Sequence, residues 1–514
     1  MNRLGARGFP SVRSSVPMAE ILTAWQEQYG STYSVEVLGD YGIVTFEPEY
    51  IKTILATNFD NFEKGPRFRK MFRSVLGNGV FNADGDIWKF HRAMTRPFFV
   101  RDRVTDFDIF DRHADIAINK MIERLSEGEP IDFQDVMSRL TLDSATEFLF
   151  GSCVHSLAAP LPYAHNSPRT TNVTSLHIND RFAKAFAEAQ AEVTLRSRLG
   201  DLWPLRDIFG DQTRDSMAII NEYIDPILQE AIENKKPKSK GGDAQAEKLE
   251  GPETLLSHLV QETDDIDIIR DEVINIMLAG RDTTASTLTF ILYCLSQHPD
   301  ILATLRHEIL TKIGLNRPTF DDLKECKYLR AVINETLRLY PPVPFNVRTS
   351  INSVTLNAKD GGKPYYVPAN CSVSYSVFIM HRRKDLWGPD ALEYDPNRFL
   401  DERVHKVYLT PNPFIFLPFN AVKTNDILQG PRICLGQQFA YNETSFVLVR
   451  LLQAFDTITL DVDAQPSDSK PSPEWKGRPG VPRDEKIWMK AHLTLYAYKG
   501  LWLRMRLANQ AIQS

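Results

Sequence analysis

Phe419-Asn420-Ala421 and, eight residues later, Gly430-Pro431-Arg432-Ile433-Cys434-Leu435-Gly436 form the stretch on which the reading of this 514-residue chain turns. Glycines at 430 and 436 let backbone approach a flat ligand closely, and an arginine two residues before a lone cysteine suits an anionic group. Gln437-Gln438-Phe439-Ala440-Tyr441 follows at once and reads as the start of a helix. A thiolate just ahead of a helix N-terminus is stabilised by the helix dipole, which makes it a good metal ligand.

Composition permits a large core, with 43% apolar and 25% charged residues. A net charge of −6 gives no overall reason to expect nucleic acid. The five cysteines, Cys153, Cys294, Cys326, Cys371 and Cys434, are odd in number and hold no C-x-x-C pair. A disulfide framework or zinc cluster is therefore not expected, and a reducing compartment fits best. The sequons at Asn172, Asn334, Asn370 and Asn442 then read as chance matches. No window of about 18 apolar residues occurs, and the first ten residues lack the apolar core of a signal peptide.

Along the chain, Thr32 to Leu38 alternates as a strand and Tyr41 to Phe46 follows a turn. Helical patterns then dominate from 86 to 340, with amphipathic stretches at Phe110–Leu125, Arg181–Leu195 and Thr213–Glu233. Residues 157 to 175 and Lys235 to Glu253 read as exposed loops. The longest helix is expected from Asp265 to Gln297, apolar on most of its surface and hence central. In its middle, Ala279-Gly280-Arg281-Asp282-Thr283-Thr284 breaks the local rules of a buried helix, either as a functional site or as a kink with back-bonded threonines. A second helix, Phe320 to Leu339, carries Glu335-Thr336-Leu337-Arg338, by itself an ordinary i,i+3 ion pair. Short strands follow from 345 to 380, then a proline-rich run ending Pro396-Asn397-Arg398-Phe399, and finally strands at Leu493–Ala497 and Leu501–Met505.

Taken together with Trp88-x-x-x-Arg92, these segments occur in the order used by cytochromes P450, which the chain resembles from about residue 30 to its C-terminus. The wording around Glu335 to Pro344 and Met380 to Asp390 is similar to the fungal branch that oxidises alkanes and fatty acids. The resemblance implies a mainly α fold with a small β-rich part, a long central helix over haem, and a single domain at 31–514 after an N-terminal remnant at 1–30. It implies haem b bound noncovalently apart from a Cys434–iron bond, since Ala279 cannot form the glutamyl ester of some relatives. Trp88, Arg92, Arg348 and Arg432 would hold the two propionates, with Gly280, Phe419 and Gly436 against the ring. Glu335, Arg338 and Arg398 would form a buried structural triad, and Asp282 and Thr283 an acid–alcohol pair relaying protons.

Function implied in this way is a monooxygenase inserting one atom of O2 into a lipophilic substrate. Apolar segments at about 71–83, 182–193, 274–282 and 343–347 would contact that substrate. With no Walker A run and no G-x-G-x-x-G fingerprint, electrons must come from a partner. In the microsomal branch this is NADPH-cytochrome P450 reductase, sometimes cytochrome b5, at the endoplasmic reticulum membrane on its cytoplasmic face. Lys89, His91, Arg92 and Arg96 would form its basic docking cluster, and membrane contact would be peripheral.

Two features depart from the family pattern. No apolar N-terminal anchor is visible. The phenylalanine stands 15 positions before the cysteine rather than seven, because Val422 to Gln429 is inserted. Lengthening a loop whose ends already meet costs little entropy, whereas a displaced ligand of about 1 Å matters at a metal site. The alternative is thus a P450-fold protein with impaired haem binding, or a misread coding sequence. Peroxide-driven chemistry without a reductase is a third reading, which the Asp282-Thr283 pair argues against.

Overall fold

A computed structural model describes residues 3–4, 18–37, 40–99, 107–170, 178–235, 254–357, 364–409, 412–420, 430–471 and 485–508. The principal helices are α1 (Met18–Tyr29), α2 (Gly65–Leu76), α3 (Gly85–Thr95), α4 (Asp108–Ser126), α5 (Phe133–Phe150), α6 (Ile178–Leu199) and α7 (Arg214–Glu233). They continue with α8 (Leu255–Glu262), α9 (Ile266–Gln297), α10 (Pro299–Lys312), α11 (Lys327–Leu339) and α12 (Gln437–Ala454). The strands used below are β1 (Thr32–Val37), β2 (Asp40–Thr45), β3 (Phe62–Glu63), β4 (Phe345–Ser350), β5 (Ser372–Ser376), β6 (Phe455–Leu460), β7 (Met489–Ala491), β8 (Leu495–Ala497) and β9 (Trp502–Leu507). The expected mainly α fold with small sheets is what forms.

Helix α9 is the axis of the molecule. Asp265 caps it, accepting the amides of Asp267 and Ile268, and its 32 residues rise about 48 Å. Val273, Met277, Leu288, Phe290, Ile291, Leu292 and Leu295 are fully buried along it. Each such side chain contributes about 1.5–3 kcal/mol of burial, so the helix holds its position by packing on several sides. The helical span continues through the rule-breaking centre at residues 279–284, and the expected back-bonding is present, with Thr283 Oγ1 donating to the Ala279 carbonyl at 2.6 Å.

The largest sheet orders Arg3–Leu4, β1, β2, β5, β4 and β3. Strands β1 and β2 pair antiparallel with Val35 opposite Gly42, β2 and β5 parallel with Val44 opposite Ser374, and β4 and β5 antiparallel with Arg348 opposite Val373. That last register sets Arg348 in the sheet's interior strand facing the cavity described below. Near the C-terminus, β7 and β8 form a hairpin with Met489 opposite Ala497.

One expected helix is two. Phe320–Glu325 ends at Cys326 (φ −75°, ψ 85°), and α11 restarts at Lys327. The Glu308 carboxylate on α10 accepts the amides of Tyr328 and Leu329 at 3.1 and 2.9 Å and so caps the new start. Apolar periodicity runs across the break because both pieces face one core. The expected loop of 157–175 is turn structure as far as 170, the last residue described there; residues 236–253 of the second loop, the whole insert at 422–429 and half of the 1–30 remnant lie outside the described residues.

Candidate active site

Cys434 opens onto a cavity of about 1600 Å³ between α9 and the start of α12. Its own amide donates to the Phe419 carbonyl at 3.2 Å, and Asn420 Nδ2 donates to the Arg432 carbonyl at 3.2 Å. Asn420 is left-handed (φ 73°), and its Oδ1 accepts from the Tyr375 hydroxyl at 2.6 Å. The two halves of the opening motif are therefore joined directly, across the eight intervening residues. Gly436 caps α12, accepting the Ala440 amide at 2.8 Å, so the cysteine stands just before a helix N-terminus as read from sequence.

The Cys434 side chain is accessible because the cavity reaches it, yet protein surrounds it on its other sides. Burial pushes its thiol up from the ordinary value, against the opposing pull of the Gly436 amide and the Arg92 charge. Across the cavity stand Ala279, Gly280, Thr283 and Thr284. A Cβ placed on Gly280 would meet only Ala145 Cβ at 3.6 Å, ordinary contact, so no protein neighbour demands glycine there. Its bare side is the cavity's.

The rim is cationic. Arg432 donates to Asp84 at 2.7 Å and to the Ala83 carbonyl at 2.9 Å, and lies 4.6 Å from the Trp88 ring. Arg92, one turn beyond Trp88 on α3, donates to the Ile433 carbonyl. Among the described residues Arg348 donates only to its own strand, at the Val347 carbonyl (2.7 Å). Lys64, absent from every sequence motif, also faces this group: burial drives its pKa well down, Arg348 and Arg432 push the same way, and Asp84 opposes them. Arg432 is likewise pushed down to about 10, by burial first and then by Arg348. Asp84 pairs with both Arg432 and Arg69 and lies near Lys64, whereas among the described residues no ion pair is seen for Arg348 or Arg92, so positive charge is left facing the cavity. A buried cationic surplus fits a dicarboxylate ligand, as the two propionates of haem would be. The donor set and the open slab between Cys434 and Gly280 fit the group.

Glu335 and Arg338 are fully buried and paired at 2.7 Å through both carboxylate oxygens. Arg338 also donates to the carbonyls of His381, Ala391 and Glu393, and Arg398 Nε lies 3.5 Å from Glu335. Arg398 is anchored further by Asp390 at 2.9 Å and the Tyr408 hydroxyl at 2.8 Å. His381 extends the triad towards the ligand loop. Burial, then the Arg338 charge, lowers its pKa to about 3, so the ring is neutral. Its Nε2 accepts the Leu417 amide at 3.0 Å, which leaves Nδ1–H to donate to the Arg338 carbonyl at 3.2 Å.

Asp282 is not in the cavity wall. Its carboxylate accepts from Gln190 Nε2 on α6 at 2.7 Å and lies 3.1 Å from Arg281 Nη1, while its neighbour Thr283 does face the cavity. The expected basic docking cluster is also corrected. His91 is fully buried, 2.9 Å from the Glu272 carboxylate, because it shares the inner face of α3 with Trp88, Met94 and Thr95. Lys89 and Arg96 remain exposed, and Arg92 is half-buried.

A long buried helix over a cysteine-based loop, with guanidinium groups on the cavity rim, is the layout of a haem-thiolate enzyme. The cytochrome P450 family model matches residues 9–478, and the chain belongs to that family. It is similar to Cytochrome P450 monooxygenase g430 of Fusarium sp (40% identity over 87% of this chain and 75% of the relative) and to Cytochrome P450 52A5 of Candida maltosa (38% over 82% and 76%). Cytochrome P450 52A1 of Candida tropicalis matches at 36% over 84% of this chain and 76% of its own length. The protein is a haem-thiolate monooxygenase for lipophilic substrates.

Proposed function

We propose that the protein binds haem b noncovalently, with Cys434 as its axial ligand, and oxidises an alkane, fatty acid or aromatic compound with electrons from NADPH through a flavoprotein reductase. The observation that carries this is the cavity bounded by Cys434, by Gly280 and Thr283, and by the guanidinium groups of Arg92, Arg348 and Arg432. Haem iron would supply the cation that converts the Cys434 thiol to a thiolate, and the redox chemistry of O2 activation. Trp88, Arg92, Arg348 and Arg432, with Lys64, would hold the propionates, while Phe419 and Gly436 border the ring. Apolar walls from Met71, Phe72, Leu76, Ile276, Val343 and Val347 would exclude water and take the substrate.

Thr283 Oγ1, already donating to Ala279, keeps its lone pairs for a proton coming from Asp282. Gln190 holds that carboxylate on the far side of α9, so Asp282 would take up its proton there and deliver it after turning. The Glu335–Arg338–Arg398 triad would fix the Leu417–Phe419 turn segment through His381. Among the described residues no helix is long and apolar enough to cross a membrane. Peripheral contact at the cytoplasmic face of the endoplasmic reticulum is supported by exposed Leu202, Leu205, Ile208 and Phe209 beyond the end of α6. Lys89 and Arg96 suit an acidic reductase surface. The single domain is proposed to begin near residue 31.

Competent haem ligation is supported by the Cys434–Phe419 and Asn420–Arg432 hydrogen bonds, which hold the ligand without using residues 422–429. The test is the spectrum of reduced, haem-loaded protein under carbon monoxide. The red-shifted Soret band for which the family is named is expected in the native chain and in a variant lacking 422–429, and is expected to vanish in Cys434→Ser. A native chain that takes up little haem or lacks the band would establish the impaired-binding alternative instead.

A further inference from the structure

Three neighbouring side chains of α9 grip the backbone between α2 and α3. Asp271 Oδ2 accepts the Asn78 amide at 2.7 Å, Glu272 Oε2 the Val80 amide at 3.1 Å and Asn275 Oδ1 the Phe81 amide at 3.0 Å, while Asn275 Nδ2 donates to the Leu76 carbonyl at 2.9 Å. A Cβ on Gly79 would come within 2.4 Å of Asn275, so a glycine is needed for this close approach. Glu272 reaches α3 as well. Its Oε1 accepts from the Thr95 hydroxyl at 2.7 Å and its Oε2 lies 2.9 Å from His91 Nδ1, both on the inner face of that helix. Glu272, His91 and Thr95 are all fully buried. One carboxylate behind the cavity wall thus joins α9, the wall residue Val80 and the helix that carries Trp88 and Arg92.

We propose that Glu272 is a positioning residue for the haem site, fixing α3 in one register along α9 so that Trp88 and Arg92 both meet the propionates. This rests on the reading of the cavity as a haem site and adds to it a residue that acts without touching the ligand. Apolar burial is non-directional and tolerates small shifts. Hydrogen bonds to a single carboxylate do not, being lost beyond about 3.5 Å. Desolvating a carboxylate is costly, and an apolar side chain of similar size is often as stable or more so; the best-attested use of such a buried group is to select one arrangement. Register matters here because α3 reaches the ligand loop: Arg92 donates to the Ile433 carbonyl, one residue before Cys434, and the Trp88 ring lies 4.6 Å from the Arg432 guanidinium.

The experiment mixes haem-loaded protein with excess apomyoglobin and follows haem transfer by the Soret absorbance, with thermal melting in parallel. Glu272→Leu is expected to lose haem about tenfold faster or more, because it removes hydrogen bonds to a charged group. Glu272→Gln can accept from Val80 and donate to Thr95, and is expected to stay within about threefold of native. Should Glu272→Leu not fold, Thr95→Val removes one hydrogen bond at equal shape and is expected to release haem about threefold faster. Leu288→Ala is the control, a fully buried α9 position outside the cavity lining. It is expected to lower the melting temperature yet leave haem loss within about twofold of native. Native rates in Glu272→Leu and Thr95→Val overturn the positioning role. So does haem loss that simply follows melting temperature across all variants, Leu288→Ala included. A native chain that takes up no haem overturns the haem site and the positioning role together.

Discussion

Arg338→Ala is expected to lower the unfolding free energy by about 3–5 kcal/mol, because it strands a buried carboxylate. Arg338 satisfies both oxygens of Glu335 and three backbone carbonyls at once, with no exposure to water. After truncation Glu335 keeps the Asp395 amide at 2.9 Å and Arg398 at 3.5 Å, too little to compensate a desolvated charge. Set against a total stability of roughly 5–15 kcal/mol, the loss is large. The damage should also reach the ligand loop, since Arg338 holds His381 by its carbonyl and His381 holds Leu417. Thermal melting and haem bound per chain would both fall, whereas truncating exposed Lys89, paired with Asp86 at 3.0 Å, would change neither measurably. The double variant Glu335→Ala/Arg338→Ala should recover part of the loss, because no lone charge remains. A single variant with native melting and full haem content would refute the triad's structural role.

The parts of this site that could be read from sequence are those whose geometry is local. Trp88 and Arg92 are one helical turn apart, Glu335 and Arg338 are i,i+3, and Cys434 stands beside its own helix start. α9 was visible because a central helix must be apolar on most of its surface. Lys64, Asp84, Gln190 and His381 were missed because their partners are distant in the chain: Asp84 meets Arg432, and Gln190 meets Asp282 across two helices. His91 was misread for a different reason. A run of basic residues suggests a solvated face, but Trp88, His91 and Thr95 follow the 3.6-residue period, and that spacing could have assigned His91 to the inside. The break at Cys326 left no trace in the periodicity, since its cause is a carboxylate from a neighbouring helix.

Glu443→Gln is expected to make the protein more stable at pH 8, the reverse of what removing a buried polar group usually does. The side chain lies on α12, 1% exposed, facing the hydroxyls of Ser144 on α5 and Thr284 on α9. Neither hydroxyl closes a hydrogen bond of normal geometry with it, and Thr284 does not donate back along its helix as Thr283, Thr287 and Thr289 do. Burial pushes the Glu443 carboxyl from 4.5 to about 8, against the opposing pull of the two hydroxyls. A raised pKa stabilises the folded state fully below 4.5, where both folded and unfolded chains hold the proton. As pH rises through the interval to 8, the unfolded chain releases the proton and the folded chain keeps it, so that contribution is lost. The loss at pH 8 is at most about 4 kcal/mol. Glutamine has no proton to release and keeps the shape. Asp132 complicates a single curve, because burial also raises it, to about 7, and it stays in both proteins. The difference between native and Glu443→Gln melting temperatures, followed from pH 5 to pH 8.5, therefore isolates Glu443: it should open steadily in favour of the variant as pH rises. Parallel curves would mean that the carboxyl is already ionised in the folded protein and that a bound water or the haem environment satisfies it.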